Sequence, residues 1–343
     1  MTSKKFAVDG SGLSLAQQAG QRLMLGFNGA CMNSRLEFLI RELKVGGIIL
    51  FSRNLGKFDD IRQLCHDVQE FATEQGQPPL LIAIDQEGGQ VARLKAPDFT
   101  EFPGNSSIKT IADAEHFASV TASELRRIGV NMNYAPVLDV TLPDIPGIME
   151  GRSFGNDPHL AAMLGGTIIE TLQRLGILAV AKHFPGIGRT VLDSHLDLPV
   201  VREPMTALEA RDLIPFQAAI AKEVSGVMLS HILYEKLDPV WPASLSTVIA
   251  RDLLRTRMKY TGVVMTDDLD MGAVVRHFDR ATAVAQTLLC EIDQILICNE
   301  SPAMEAAFEQ IYRSIQDDTT LKQLSLQSMK RILSAKRRVF KDM

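Results

Sequence analysis

PHLAAMLGGTIIETLQRLGILAVAK, residues 158–182, reads as one helix followed directly by one strand. Pro158 stands in a first-turn position, where its missing N–H costs nothing, and Gly176 stands where a helix ends. Behind the glycine, Leu178–Lys182 is a short run that is apolar at every position before its lysine. A strand without polar alternation is covered on both faces, the environment of a parallel sheet under helices.

The same unit recurs along the chain. Short apolar runs at Leu23–Phe27, Gly47–Phe51, Leu80–Ile84, Val130–Tyr134, Gly226–Leu229, Gly262–Met265 and Ile292–Cys298 are each bounded by Gly, Pro, Asn or Asp. With Leu178–Lys182 they make eight, each followed by a longer stretch of helical spacing. Eight such units predict an α/β fold closed as a (β/α)8 TIM-type barrel rather than an open doubly wound sheet. The stretch TALEARDLIPFQAAIAKEV (206–224) has helical spacing that Pro215 should kink or split. Beyond about Ser301 the chain is helical and increasingly basic (MKRILSAKRRVFKDM), which reads as closing helices with a solvated face. No linker, close repeat or second domain is visible, so residues 1–343 are expected to form a single domain.

Composition narrows the function classes. The 343 residues carry 36 Lys plus Arg against 41 Asp plus Glu, a formal net charge of −5 that excludes a nucleic-acid binder working by bulk charge. A hydrophobic fraction of 46% excludes disorder as the main state. No run reaches the roughly 20 apolar residues of a membrane span, and the N-terminus does not resemble a signal peptide. A cytoplasmic protein with no membrane or nucleic-acid partner is expected; the oligomeric state is left open. Cys31, Cys65, Cys290 and Cys298 are widely spaced, without C-x-x-C, and read as reduced thiols packed like small apolar residues.

In such a barrel chemistry sits on the loops after the strands. Asp85 follows strand three, Asp139 strand four, Lys182 and His183 strand five, Ser230 and His231 strand six, and Asp267 and Asp268 strand seven. Each alone reads as a helix cap or packed polar residue, and their convergence on one rim makes a site. The richest segment is AKHFPGIGRTVLDSHLDLP (181–199). Gly186-Ile187-Gly188 is no dinucleotide fingerprint, since Val191 takes the place of the third glycine, and P-loop and G-x-S-x-G patterns are absent. Asp193, two residues before His195, can fix the tautomer of the imidazole and raise its basicity, although D-S-H is also an ordinary polar turn ahead of a helix. Strand alternation sends only one of Asp267 and Asp268 into the mouth without saying which.

Residues 181–199 resemble the KHFPGHG…DSH signature of glycoside hydrolase family 3, in its single-domain β-N-acetylglucosaminidase branch. IAIDQEGGQVARL (82–94), FPGN (102–105), NMNYAPVLDV (131–140), GRSFGNDP (151–158) and VMTDDLDMGAV (264–274) match in order, over roughly residues 20–300. The resemblance implies that Asp267 is the nucleophile, with Asp268 a cap or orienting group, and that His195 is the general acid/base oriented by Asp193. It further implies that Asp85 accepts hydrogen bonds from sugar hydroxyls while Arg93, Arg152, Lys182 and His183 donate to them. The alternative for both arginines is a structural ion pair, and Glu87 belongs to the same network without a role. His231 reads as a packed rim residue; His66, His116, His159 and His277 read as ordinary.

The resemblance implies a retaining exo-β-N-acetylhexosaminidase, without cofactor or metal, acting on small N-acetylglucosamine glycosides, with muropeptides of peptidoglycan recycling as the substrate class. Two positions depart from the pattern. Ile187 replaces the second histidine of P-G-H-G, and DIPGIMEGRSF (144–154) lacks the N-P-x-I-G run. Another β-glycosidase, a phosphorylase or an impaired sugar-binding homologue on the same site are the alternatives. A metal-dependent barrel hydrolase using His183, His195, His231 and Asp267 lacks the H-x-H that would end strand one, where Leu25-Gly-Phe-Asn28 stands.

Overall fold

Eight short strands, apolar along their length, have no solvent-facing side and can be buried only by closing on themselves beneath a layer of helices. The computed structural model, which describes residues 10, 12–143, 147–190 and 192–340, has this arrangement. Strands β1 (Leu23–Leu25), β2 (Gly47–Leu50), β3 (Leu81–Ile84), β4 (Met132–Asn133), β5 (Leu178–Phe184), β6 (Gly226–Leu229), β7 (Val263–Asp268) and β8 (Gln294–Ile297) follow one another around a closed barrel. Every neighbouring pair is parallel, and β8 closes the ring on β1 through Leu23↔Ile295. The expectations about residues 1–9, about 144–146 of DIPGIMEGRSF and about Val191 lie outside the described residues.

Side chains alternate between two cores, which explains why the strands show no polar period. Ile49, Met132, Val180, Met228 and Met265 fill the barrel interior, while Ile48, Leu50, Ala179, Val227 and Val264 pack under the helices. The sequence reading of β4 was too long at both ends. The Asn131 side chain accepts the Ile82 N–H at 2.9 Å and that of Asn133 accepts the Gln86 N–H at 3.0 Å, so side-chain amides take over where the ladder stops.

The helix Pro158–Arg174 opens as expected, with Asp157 accepting the His159 N–H at 2.8 Å, and Gly176 beyond it has φ 83°. The proline-containing stretch is split into Met205–Glu209 and Leu213–Ala221, and Pro215 lies in the first turn of the second piece. Three cysteines are buried, but Cys31 is exposed, unlike the packed thiol expected there.

The C-terminal helices Ala303–Asp317 and Thr319–Val339 are present, but the basic face of the second is not simply solvated. Ala335 and Val339 pack onto the barrel-interior cluster, which carries Arg331 and Lys336 into the bottom of the barrel. There the fully buried Asp293 accepts from Arg331 at 2.9 Å and Arg255 at 2.5 Å. Lys336 is also fully buried and donates to the Gln21 side chain at 2.6 Å. A neutral amide does not compensate a buried ammonium, and burial pushes the Lys336 pKa down to about 7.

This buried amine makes stability depend on pH. Between pH 7 and the ordinary lysine pKa the unfolded chain binds a proton that the folded chain does not, so folding becomes more favourable as pH rises. Lys336→Met is expected to be more stable than wild type at pH 6, with the advantage shrinking steadily towards pH 10. Urea unfolding at several pH values measures it, and a constant difference would contradict the buried-amine assignment.

Candidate active site

The carboxyl ends of the strands surround one pocket, whose wall includes Asp85, Glu87, Arg93, Arg152, Lys182, His183, Asp193, His195, His231, Asp267 and Asp268. All eight residues expected to bind or react with substrate are thus brought together from the ends of β5 and β7, from the segments after β3 and β5 and from the 147–154 loop.

The wall is built on Lys182, which is 3% exposed and stands between two carboxylates, 2.8 Å from Asp85 and 2.6 Å from Glu87. Arg93 approaches the other side of Asp85 at 3.3 Å, and Arg152 grips Glu87 through two hydrogen bonds of 2.9 and 3.0 Å. Phe51 underlies the Arg93 guanidinium, 5.4 Å from its ring centroid. Both arginines are therefore ion-paired, as the structural alternative held, and both still border the pocket. Burial opposes ionisation of Asp85, but Lys182 and Arg93 outweigh it and hold the carboxyl at about 2. Burial likewise opposes charge on Glu87 and Lys182, and their mutual attraction prevails, lowering the acid and raising the base.

Asp139, buried behind this wall, holds two parts of the β5 loop. Its carboxylate meets His183 Nδ1 at 2.7 Å and accepts the Ile187 N–H at 2.8 Å. An ionised carboxylate only accepts, so the hydrogen of this contact lies on Nδ1 of His183. Ile187 itself lies at the pocket wall and is 5% exposed.

Further along the loop, Asp193 accepts both the backbone N–H of His195 at 2.9 Å and its Nδ1 at 2.8 Å. The segment is indeed a polar turn, with Leu196 and Asp197 N–H groups bonded to the Asp193 carbonyl, but the short strand Val200–Val201 follows instead of a helix. Burial disfavours the Asp193 charge, and the His195 N–H and ring more than offset it, leaving the carboxyl below its ordinary value.

The two carboxylates at the end of β7 differ sharply in environment. Both border the pocket, because the register against β8 shifts between Met265 and Asp268 and interrupts the simple alternation expected there. Asp268 is engaged as a cap, accepting the N–H groups of Asp270 at 3.0 Å and Cys298 at 3.1 Å. Burial, with Asp270 and Asp267 nearby, pushes it up to about 6. Asp267 is also opposed by burial, yet His183, His231 and the Asp268 N–H hold it below the usual carboxylate range. Neighbouring carboxyls with pKa values driven apart are a common arrangement where one must stay ionised at neutral pH.

His231 is the packed rim residue expected, bonded to Ser244 Oγ at 2.6 Å and to the Asp268 carbonyl at 2.9 Å; burial lowers its pKa. Tyr134 and Phe51 line the pocket without any sequence signal beyond their place at strand ends. His277, read as ordinary, is bonded to Asp197 of the loop at 2.5 Å. His66, Asp67 and Glu70 bring possible ligand atoms within 4.8 Å of one another, but on an exposed helix surface remote from the pocket residues.

Acidic and imidazole groups converging on the mouth of a (β/α)8 barrel, beside a wall of alternating charges suited to hydroxyl groups, define a carbohydrate-cleaving barrel enzyme. The chain belongs to glycosyl hydrolase family 3, whose N-terminal-domain profile matches residues 14–341, and it is a glycoside hydrolase. A β-hexosaminidase of Pseudomonas aeruginosa is 33% identical over 298 residues, covering 85% of this chain and 86% of the relative. Among solved structures, the family 3 β-N-acetylglucosaminidase of Paenibacillus sp. FPU-7 superposes with a TM-score of 0.92 at 36% identity, over 96% of this chain. The chain spans 64% of that longer protein. A β-N-acetylhexosaminidase of Beutenbergia cavernae superposes with a TM-score of 0.87 at 29% identity, covering 94% of this chain and 98% of the other. Among the described residues no helix is long and apolar enough to cross a membrane.

Removing the central cation should expose how the wall is balanced. Lys182→Met leaves two buried carboxylates facing each other and is expected to cost roughly 3–5 kcal/mol, the scale of breaking a buried pair. Asp85 and Glu87 contribute stability above their unfolded pKa values and lose it as pH falls through the lowered folded ones. Without Lys182 that loss begins at higher pH, so the acid-unfolding midpoint should move up. An unchanged midpoint would mean that the ammonium does not set these titrations.

Proposed function

We propose that this glycoside hydrolase is a retaining exo-β-N-acetylhexosaminidase that removes terminal β-linked N-acetylglucosamine. Asp267 acts as nucleophile, and His195, oriented by Asp193, acts as general acid and then base. The observation that carries this reading is one pocket holding Asp267 at the end of β7 and, on a separate loop, the His195 imidazole paired to its own carboxylate Asp193.

Asp267 attacks the anomeric carbon while His195 gives its proton to the departing glycosidic oxygen, producing a covalent glycosyl-enzyme. A water then enters, His195 takes its proton, and attack on the opposite side releases the sugar with its β configuration. Asp85, Arg93, Arg152, Lys182 and His183 hold the ring through its hydroxyls with charge-assisted hydrogen bonds. Such a wall is already ordered before substrate binds, so little is spent on assembling it. The reaction needs no cofactor. Muropeptides bearing terminal N-acetylglucosamine, processed in the cytoplasm during peptidoglycan recycling, are the substrate class we propose.

Proton NMR of an aryl N-acetylglucosaminide during early turnover should show the β-anomer first; initial α-product would exclude double displacement. Asp267→Ala should abolish turnover with the unfolding transition retained, whereas activity within about tenfold of wild type would move the nucleophile elsewhere.

His195→Ala should lose roughly 10²- to 10⁴-fold on a disaccharide, whose leaving alkoxide needs the proton, and much less in the first step on an activated aryl glycoside. Azide should partly restore aryl-glycoside turnover by intercepting the intermediate. Equal losses on both substrates would place His195 in binding rather than proton transfer.

A further inference from the structure

The turn carrying His195 is joined to the segment that leaves the end of β7. The Ser194 carbonyl accepts the Ala273 N–H at 3.0 Å, and Asp197 Oδ1 lies 2.5 Å from His277 Nε2. Between these contacts the backbone of Gly272 runs hard against the turn. A Cβ on that glycine would stand 2.5 Å from the His195 carbonyl oxygen and 3.0 Å from that of Leu196. The same segment is tied back to the end of β7, since the Met271 N–H donates to the Asp268 carbonyl at 3.0 Å and the Met271 side chain is buried at the pocket wall. Behind it Phe278 stacks on Trp241, with ring centroids 5.2 Å apart.

The Asp197–His277 pair is a short hydrogen bond between a carboxylate and an imidazole. Asp197 is held below the ordinary carboxylate range by its hydrogen bond to His277 and the Leu198 N–H, with Arg276 nearby. By contrast His195 has a side chain 71% exposed, so burial does little to fix its position. The turn's internal bonds set the geometry of Asp193 and His195 relative to each other. They do not set the place of the turn relative to Asp267; that falls to the contacts with residues 272–277, together with the pairing of Val200–Val201 on Leu233–Tyr234 just after the turn.

We propose that Asp197 and His277 are positioning residues, latching the His195 turn onto the segment after Asp267 so that acid/base and nucleophile keep a fixed separation. This rests on the acid/base reading of His195 above. Losing an exposed pair of this kind is expected to cost at most about fivefold in rate when it acts on the reactive geometry. Gly272→Ala disturbs the same docking without removing a polar group, and a displacement on the scale of an ångström costs up to roughly a hundredfold.

The test compares kcat/KM, which reports the first covalent step, on an N-acetylglucosamine disaccharide and on an activated aryl N-acetylglucosaminide. His277→Ala and Asp197→Ala should each lower the disaccharide value by about two- to fivefold and leave the aryl value unchanged. The double variant should be no worse than Asp197→Ala alone, because that variant already removes the contact His277 makes, together with the Leu198 N–H bond. Gly272→Ala should show the same selectivity with a larger loss. Thermal unfolding identifies any variant whose fold has changed, and the double-variant comparison then decides. Equal losses on the two substrates, multiplicative losses in the double variant, or wild-type rates throughout would overturn the latch. If His195→Ala is also indifferent to the leaving group, the acid/base reading falls and the latch with it. If His195→Ala discriminates and the latch variants do not, the latch alone is wrong.

Discussion

Burying the ammonium of Lys182 is the constraint around which the mouth of the barrel is organised. Alone, a charge taken out of water costs several kcal/mol, and it becomes tolerable only with close opposite charges and satisfied hydrogen bonds. Asp85 and Glu87 supply them, but two carboxylates around one cation leave one excess negative charge, which Arg93 and Arg152 more than offset from outside. The result is a row of alternating charges, Arg93–Asp85–Lys182–Glu87–Arg152. It stitches the turn after β3, the end of β5 and the 147–154 loop into one wall. Each member fixes the next, so the wall presents oriented donors and acceptors without help from a ligand.

The loop carrying Asp193 and His195 follows a different economy. Its base is anchored firmly: Ile187 donates to Asp139, Tyr234 donates to the Gly186 carbonyl at 2.8 Å, and Arg189 bonds to the buried Asp212 at 2.9 Å. At its tip the His195 side chain is largely exposed while Ser194 is buried, and the turn depends on local hydrogen bonds and on the docking against residues 272–277. In the mechanism proposed above the stiff wall cradles the sugar ring, while the proton donor stands on a tip whose place depends on that docking.

Much of this was legible in the sequence because it follows from periodicity and position. Eight apolar runs gave the barrel, since two-sided burial leaves the same signature in each strand, and rim residues followed from the strand ends. What escaped was set by partners distant in sequence. Lys336 and Arg331 read as surface cations because nothing local distinguishes them from their neighbours Lys330 and Arg338, and only packing under the barrel buries Lys336 and brings Arg331 to Asp293. His277 looked ordinary for the same reason, its partner Asp197 lying 80 residues away. The paired state of Arg93 and Arg152 was an open alternative because a one-dimensional pattern cannot show which carboxylate stands opposite a guanidinium. The family resemblance, in turn, singled out Asp267 over Asp268, a choice that alternation could not make and that the register shift in β7 would have confused.

The departure at Ile187 can be weighed physically. Replacing a histidine by isoleucine removes a polar side chain from the loop, which raises the question of what then orders it. The anchor is the backbone: it is the Ile187 N–H that Asp139 accepts, and any residue except proline supplies it. The isoleucine side chain is buried against the main apolar cluster, so it contributes packing where a histidine would have needed a polar partner. The flanking glycines are less replaceable. Gly186 has φ 126°, and a Cβ on Gly188 would stand 2.1 Å from the Val140 carbonyl oxygen. The base of the loop is therefore ordered without a polar side chain at 187, through Gly186, Gly188, the Ile187 N–H and the bonds of Tyr234 and Arg189, and an apolar residue suits the buried position between the glycines.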